Sequence, residues 1–389
     1  MSGIYIHIPF CKQACHYCDF HFSTQLGKKE AMVNAIAKEL VLRKSEVDDE
    51  VETIYFGGGT PSVLTAEEIE QLIKAVYDNY NVIDHPEITL EANPDDLVSS
   101  RAPACRTGRE SRDLFSNYKN AGINRLSIGI QSFFDEDLKL MNRAHNAGEA
   151  ERCIEEATAH FDNITIDLIY GIPEMGHERW KSNIQKALDF GLPHISSYAL
   201  TVEPRTALKK FIEKGVVPDV DDEQAQEQFH ILADMLEAQG FVNYEISNFG
   251  KPGFFSKNNT AYWLGKKYLG VGPSAHSFDG QHRSWNIRHN PTYIKKINEG
   301  ELPSEIETLS KTDRYNEYVM TGLRTIWGVD LERVEEEFGP KYVEYLNQQS
   351  HKFLEQGLLV LEDGKLLTTK KGKFLADGIA SDLFMVNLK

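Results

Sequence analysis

Residues 3–18 read GIYIHIPFCKQACHYC, a strand that runs directly into a loop carrying three cysteines. Ile4, Ile6 and Ile8 alternate with Tyr5 and His7, the period-two pattern of a strand with two unlike faces. His7 and Pro9 interrupt the apolar residues and no basic region precedes them, so the segment reads as the first strand of a fold and not as an export signal. Outward from it, helical spacing over 29–43 (Met32, Ile36, Ala37, Leu40) leads to a strand at 53–56 that ends in GGGTPS. A helix is predicted over 66–79, with Thr65 as its cap and Glu68 three residues on. Strand-like runs recur at 88–92, 123–130, 164–170 and 195–200, with helical patterns between most of them. Repeated strand–helix units argue for an α/β chain with parallel strands and helices outside. Six such strands before residue 200 predict an incomplete (β/α) TIM-like barrel over 1–240. A doubly wound sheet is the competing architecture, because periodicity alone does not separate the two.

The remainder divides into two stretches. Residues 241–302 are rich in Gly, Asn and aromatics, show short strand-like pieces without long helices, and are expected to form a connecting region. Over 303–389, helical patterns at 313–326, 330–338 and 340–355 precede the hairpin LLVLEDGKLLTT, turning at Asp363-Gly364, and a last helix is predicted at 371–386. That order resembles a small, mainly helical winged-helix module. One stretch disagrees with its surroundings: 99–112, SSRAPACRTGRESR, holds four arginines and one acid and lacks apolar periodicity. It reads as an insertion forming a solvated surface loop.

The chain has 389 residues, 41% hydrophobic and 26% charged, which excludes a wholly disordered protein. Its net charge of −17 lacks the basic footprint that phosphate backbones demand, so nucleic acid is not the expected partner. No stretch approaches the roughly 18 apolar residues of a membrane-spanning helix, and a cytoplasmic location is expected.

Three of the five cysteines, Cys11, Cys15 and Cys18, fall in a C-x3-C-x2-C loop; Cys105 and Cys153 stand alone. Thiolates so closely spaced favour a metal over a disulfide framework. A closed zinc site wants four ligands, and His16 or His21 could supply the fourth. An iron–sulfur cubane normally takes a cysteine at every iron, so three cysteines would leave one iron open to a small molecule. Gly57-Gly58-Gly59-Thr60 after the second strand lets backbone groups approach a ligand closely, since glycine has no Cβ.

With that glycine run following the cysteine loop, the chain resembles the radical SAM superfamily. YIHIPFC, CHYCDF, GGGTPS, LEANPD, NRLSIGIQSF, NRAH, IDLIYGIP and GVGPSAHSF resemble, in order, the oxygen-independent coproporphyrinogen III oxidase group, and within it the haem-chaperone branch. The resemblance implies a 4Fe–4S cluster on Cys11, Cys15 and Cys18, whose open iron chelates S-adenosylmethionine and whose electron cleaves the sulfonium. It implies cofactor contacts from Tyr5, Tyr17, Gly58, Gly59, Thr60, Glu91, Gln131, Arg143, Asp167 and Ala199, with no catalytic side chain beyond the cluster. Several of these end predicted strands, where ligand sites of barrels gather.

For the same branch the resemblance implies haem binding and delivery to haem-accepting proteins, respiratory-chain components among them. An electron donor such as a flavodoxin or ferredoxin is implied, and membrane contact no more than peripheral. The branch carries an H-N-x-x-Y-W motif; here Asn258 stands at the histidine position, followed by Tyr262 and Trp263, which could stack on a porphyrin. His276 and His289 are the substitute iron ligands considered. The first alternative is oxidative decarboxylation of coproporphyrinogen III. That branch has a further cysteine two positions after the third cluster cysteine, where this chain has Phe20. The second alternative is a zinc-stabilised structural or interaction protein.

Overall fold

The computed structural model describes residues 2–98 and 114–386. The basic stretch 99–112 and Cys105 lie outside them. Six strands, β1 (Ser2–Ile8), β2 (Val51–Gly58), β3 (Val82–Ala92), β4 (Arg125–Gln131), β5 (Ile164–Tyr170) and β6 (His194–Ala199), pair in parallel and in chain order. A doubly wound sheet reverses its strand order at a switch point. No reversal occurs from β1 to β6, so the sheet is singly wound, as an incomplete barrel requires. Helices Lys29–Leu42 and Ala66–Asn79 connect the first strands and pack on each other. The capping box at Thr65 and Glu68 forms as the sequence predicts.

The stretch expected to be a connecting region extends the same sheet at both edges. Beyond β6 lie β8 (Asn248–Gly250) and β7 (Val242–Glu245), both antiparallel additions. Beyond β1 lies β9 (Tyr268–Val271), parallel to it, followed by antiparallel β10 (His276–Phe278), β11 (His282–Asn286) and β12 (Ser304–Thr308). The result is an open twelve-stranded sheet. Two helices that the sequence pattern did not resolve, Lys257–Trp263 and Asn290–Asn298, are also found here.

The alternation read in β1 holds across the sheet. One face carries Ile4, Ile6, Ile8, Ile54, Phe56, Leu90, Leu126, Ile128, Ile166 and Ile195, each at most 1% exposed and joined with the helices in one core. Burying side chains of this size is worth about 1.5–3 kcal/mol each, which fixes the face that turns to the helices. The opposite, inner face is polar. Tyr5, Tyr55, Thr89 and Arg125 form one row across β1–β4. Glu91, Ser127, Thr165 and His194 form the next on β3–β6, and Gly129, Asp167 and Ser196 a third on β4–β6. A closed TIM barrel fills its interior with layers of branched aliphatics; this interior is lined with groups suited to a ligand.

The C-terminal domain has its own core, built on Tyr315, Val319, Leu323, Val334, Phe338, Leu346 and Ile379. Helices Lys311–Leu323, Leu331–Phe338 and Pro340–Glu355 pack with a small sheet of β13 (Val329–Asp330), β15 (Lys365–Thr368) and β14 (Leu359–Glu362). The hairpin turns at Asp363 (φ 47°) and Gly364 (φ 75°), the left-handed pair expected of a two-residue turn. The predicted last helix is instead two short ones, Lys370–Lys373 and Ala376–Asp382, separated by a turn at Phe374 and Leu375.

Candidate functional site

The cysteine loop leaves β1 at the C-terminal mouth of the barrel and is held to its neighbours at many points. Gly59 N donates to Ile8 O (2.9 Å) and Thr60 N to Phe10 O (2.7 Å), extending the β1–β2 pairing into the loop. Across the mouth, Asn142 Nδ2 donates to Ala14 O (2.7 Å), Gln13 Nε2 to Asn142 O (2.7 Å) and His16 N to Met141 O (3.0 Å). Lys12 pairs with the buried Asp96, whose other oxygen accepts from Ser62 Oγ (2.6 Å).

Arg143 is the hub. Its Nη1 lies 3.4 Å from Cys15 Sγ, and its Nη2 donates to Asn93 Oδ1 (2.6 Å) and Gly129 O (2.8 Å). Asn93 Nδ2 in turn donates to Thr60 Oγ1 (3.2 Å), so the cysteine loop, the glycine loop and the ends of β3 and β4 form one network. Tyr17 packs against the core edge beside Arg143, and burial raises its hydroxyl pKa. Gln131 ends β4 with φ 68°, a left-handed conformation that is costly for a residue with a Cβ and gathers at functional sites. Ala199 is the last residue of β6.

Inside the mouth, Glu91 accepts from Tyr55 Oη (2.8 Å) and from Gly58 N (3.3 Å). Burial pushes its carboxyl up to about 7, against the opposing effect of the Tyr55 hydrogen bond. Asp167 is pushed up to about 6, again by burial first, with Arg125 and Arg143 opposing. Tyr5 stacks on Tyr55 with centroids 6.1 Å apart and donates to His7 Nδ1 (3.1 Å).

The residues expected to contact the cofactor therefore converge on one mouth, and they fit it. The three thiols are partly exposed and free of disulfides on one loop, and Arg143 Nε is buried with no hydrogen-bond partner. Gly58, at φ 109°, and Gly59 line the loop where side chains have no room. The two histidines read as a possible fourth zinc ligand are engaged elsewhere. His16 Nδ1 faces Leu140 O (2.9 Å) and its ring packs edge-on against Phe211, while His21 Nε2 faces Asn290 Oδ1 (2.8 Å). Among the described residues, no three His, Cys, Asp or Glu side chains gather as a single metal ion would require. Cys153 is fully buried in the core.

The haem candidates are divided. Tyr262 packs on Tyr268 (5.1 Å) at the start of β9, and His276 stands two residues from Phe278, which pairs with Tyr268, so both belong to the wall of β9–β11. Trp263 turns instead to the C-terminal domain, with the Arg324 guanidinium 5.0 Å from its ring centre. Asn258 closes the opposite, N-terminal end of the barrel: its Oδ1 accepts from Thr53 (3.1 Å) and its N donates to Glu87 (3.2 Å). His289 caps helix Asn290–Asn298, its Nδ1 accepting from Thr292. Sequence reasoning missed Asn93, Lys12 and Asp96 as parts of the mouth. Asn93 lies within LEANPD, but nothing in the sequence showed that Arg143 would reach it.

Comparison with known proteins decides the family. The radical SAM superfamily model matches residues 5–187, and the HemN C-terminal domain model matches 309–375. The chain is 32% identical over 389 residues to "Heme chaperone HemW" of Lactococcus lactis subsp. lactis, covering 97% of this chain and 98% of that one. The chain belongs to the HemW family of radical SAM proteins. A Bacillus subtilis member is 33% identical, covering 97% and 98% of the two chains. The mouse "Radical S-adenosyl methionine domain-containing protein 1, mitochondrial" is 32% identical, covering 97% and 86%. Among solved structures, coproporphyrinogen III oxidase (HemN) from Escherichia coli superposes with a TM-score of 0.82 at 22% identity, covering 99% of this chain and 90% of that one. That likeness confirms the fold and its C-terminal domain. Membership in the superfamily implies a 4Fe–4S cluster and S-adenosylmethionine.

Proposed function

We propose that this chain binds haem as cargo on the inner wall of β9–β11 and hands it to haem-accepting proteins. In this reading the cluster and S-adenosylmethionine lie beside the wall, at the barrel mouth. The observation that carries the reading is His276. Its imidazole is exposed to the open wall with no hydrogen-bond partner among the described residues, and its ring lies 6.0 Å from Trp285 on the same face. Burial, then Arg283 and Arg288, lower its pKa, so at neutral pH the ring is the uncharged base that iron ligation needs. The Arg288 guanidinium suits a carboxylate of a haem edge, while Arg283 is already paired with Glu317 (2.9 Å). Tyr262, Tyr268 and Phe278 continue the aromatic wall. When bound, a reduced cluster supplies the electron that cleaves the cofactor's sulfonium.

Full-length identity with proteins named haem chaperones supports delivery over decarboxylation. So does Phe20, 70% exposed at the position where the decarboxylating branch is expected to carry its extra cysteine. Respiratory-chain recipients, a flavodoxin or ferredoxin as donor, peripheral membrane contact and a cytoplasmic site belong to this proposal. No helix among the described residues is long and apolar enough to cross a membrane. The test is haem titration of the anaerobically reconstituted protein, with coproporphyrinogen III consumption assayed in parallel. Haem binding with a Soret band shifted by His276→Ala but not by His289→Ala, and without coproporphyrinogen turnover, is the expected result. Turnover to protoporphyrinogen, or an unchanged Soret band in His276→Ala, refutes it.

A further inference from the structure

Arg125 opens β4 on the inner face, is 1% exposed, and its Nε is buried without a hydrogen-bond partner. Among the described residues it forms no direct ion pair. Its neighbour across the strands, Thr89, is fully buried and its Oγ1 also lacks a partner. A guanidinium out of water and unpaired is expensive, so an arginine here is not explained by packing. Carboxylates of the inner face lie on both sides of it, with Glu87 one row down on β3. By register, Glu91 is one row up, beside Ser127, and Asp167 is two rows up, beside Gly129.

We propose that Arg125 is a positioning residue that favours the ionised forms of Glu91 and Asp167 from beneath, keeping the barrel mouth negative to receive a cationic sulfonium cofactor. The proposal rests on the reading that those two carboxylates face S-adenosylmethionine.

Two further buried carboxylates stand nearby, Glu87 one row below Arg125 on β3 and Glu245 on β7, the latter raised by burial. Tyr5 on β1, Tyr55 on β2, Tyr198 on β6 and Tyr244 on β7 are all raised by burial and stay neutral. His194 on β6 is pushed well below its usual value by burial and then by Arg125, so it adds no positive charge. Ser127 and Ser196 stand beside Asp167 and carry no charge, Ser196 Oγ donating to Asn248 Oδ1 (2.6 Å). Arg143, above β4, lies against Cys15. Arg125 is therefore the cation beneath the two carboxylates, and it opposes the burial that drives both of them towards protonation.

The test compares Arg125→Met, Arg125→Lys and the unchanged protein, each reconstituted, by S-adenosylmethionine binding between pH 6 and 9. Arg125→Met should bind about tenfold more weakly at pH 7, the consequence of a one-unit rise in carboxylate pKa, and recover most of its affinity by pH 9. Arg125→Lys should keep the parent profile. A pH-independent loss in Arg125→Met, or no loss at pH 7, overturns the proposal. Should Arg125→Met fold poorly, thermal unfolding without cofactor decides: Glu91→Gln with Asp167→Asn should destabilise the Arg125 protein more than the Arg125→Met protein. Equal effects in both backgrounds overturn the charge link. If the unchanged protein fails to bind S-adenosylmethionine while this coupling persists, the cofactor reading fails and the link between Arg125 and the carboxylates stands.

Discussion

Replacing Gly59 by alanine should pull the cysteine loop off the barrel mouth. A Cβ built on Gly59 would lie 2.6 Å from Phe10 O, 2.9 Å from Ile8 O and 2.9 Å from Phe10 N. All three are backbone atoms of the segment leading into the cysteine loop, so no side chain can swing aside. Ordinary contact begins at 3.4 Å, and the strand must retreat by most of an ångström. That retreat breaks the pairing of Gly59 N with Ile8 O and of Thr60 N with Phe10 O. Two lost hydrogen bonds at about 1 kcal/mol each, with about 1–2 kcal/mol of overpacking, give about 3–4 kcal/mol. At roughly 2–4 °C per kcal/mol, the apparent melting temperature should fall by about 6–16 °C. The assay is thermal unfolding, with iron and sulfide content measured after anaerobic reconstitution. Gly176→Ala is the control, since nothing lies within 4 Å of its added Cβ. A Gly59→Ala protein that melts like the control and holds a full complement of iron would refute the tight apposition of the two loops.

Cys15→Ala should abolish cluster iron and sulfide, whereas Cys153→Ala, in the core of helix Ala147–Thr158, should retain them and lose only about 1 kcal/mol of stability. His145 is held down to about 3 by burial and by Arg143, with its Nε2 3.1 Å from Ile130 O. Because the folded value lies below the unfolded 6.5, its contribution is present above pH 6.5 and is lost as pH falls from there towards 3. The parent protein should therefore lose about 1.2 kcal/mol more than His145→Gln between pH 7 and 5.5, read by chemical denaturation at each pH. Trp263→Ala should remove the ring under Arg324 and loosen the C-terminal domain by about 1–2 kcal/mol. Faster hydrogen exchange in helix Lys311–Leu323 is the measurement; unchanged exchange would place Trp263 elsewhere than in the domain contact.

The strands of the barrel were legible because their two faces obey different chemistry. Ile4, Ile6 and Ile8 must meet helices, and Tyr5 and His7 must not, so one strand already states which side is inside. Residues 241–302 resisted the same reading. Their strands are three to five residues long, too short for alternation to show, and several pair antiparallel across the sheet with partners the sequence does not name. Periodicity also could not show that Phe374 and Leu375 divide the last helix, since apolar residues suit either outcome. At the site, chemistry-bearing residues announced themselves by type, but the arrangement did not. Nothing in the residue type of Arg143 foretold that Asn93, Gly129 and Cys15 would surround it. Tyr262 and Trp263 are adjacent in sequence yet serve different surfaces, because neighbouring positions on a helix point roughly 100° apart.

The asparagine at 258 fits the architecture better than it fits iron ligation. Gly3, Thr53 and Glu87 form the lowest row of the inner face, and Asn258 bonds to the last two from helix Lys257–Trp263. A Cβ on Gly3 would come within 3.5 Å of Asn258 Oδ1, so this corner is already tight. The side chain at 258 thus helps close the barrel at the end away from the cysteines. His276 stands on the wall within electrostatic reach of His7 and Arg288, away from that closed end. A histidine substituted at 258 would have to give up the Thr53 contact before it could reach a ligand. Asn258→His should therefore leave the Soret spectrum unchanged while lowering stability by about 1 kcal/mol, the worth of the lost hydrogen bond. A new low-spin haem signal in Asn258→His would instead show that this end of the barrel opens to the cargo, and would move the iron from the β10 wall to the helix.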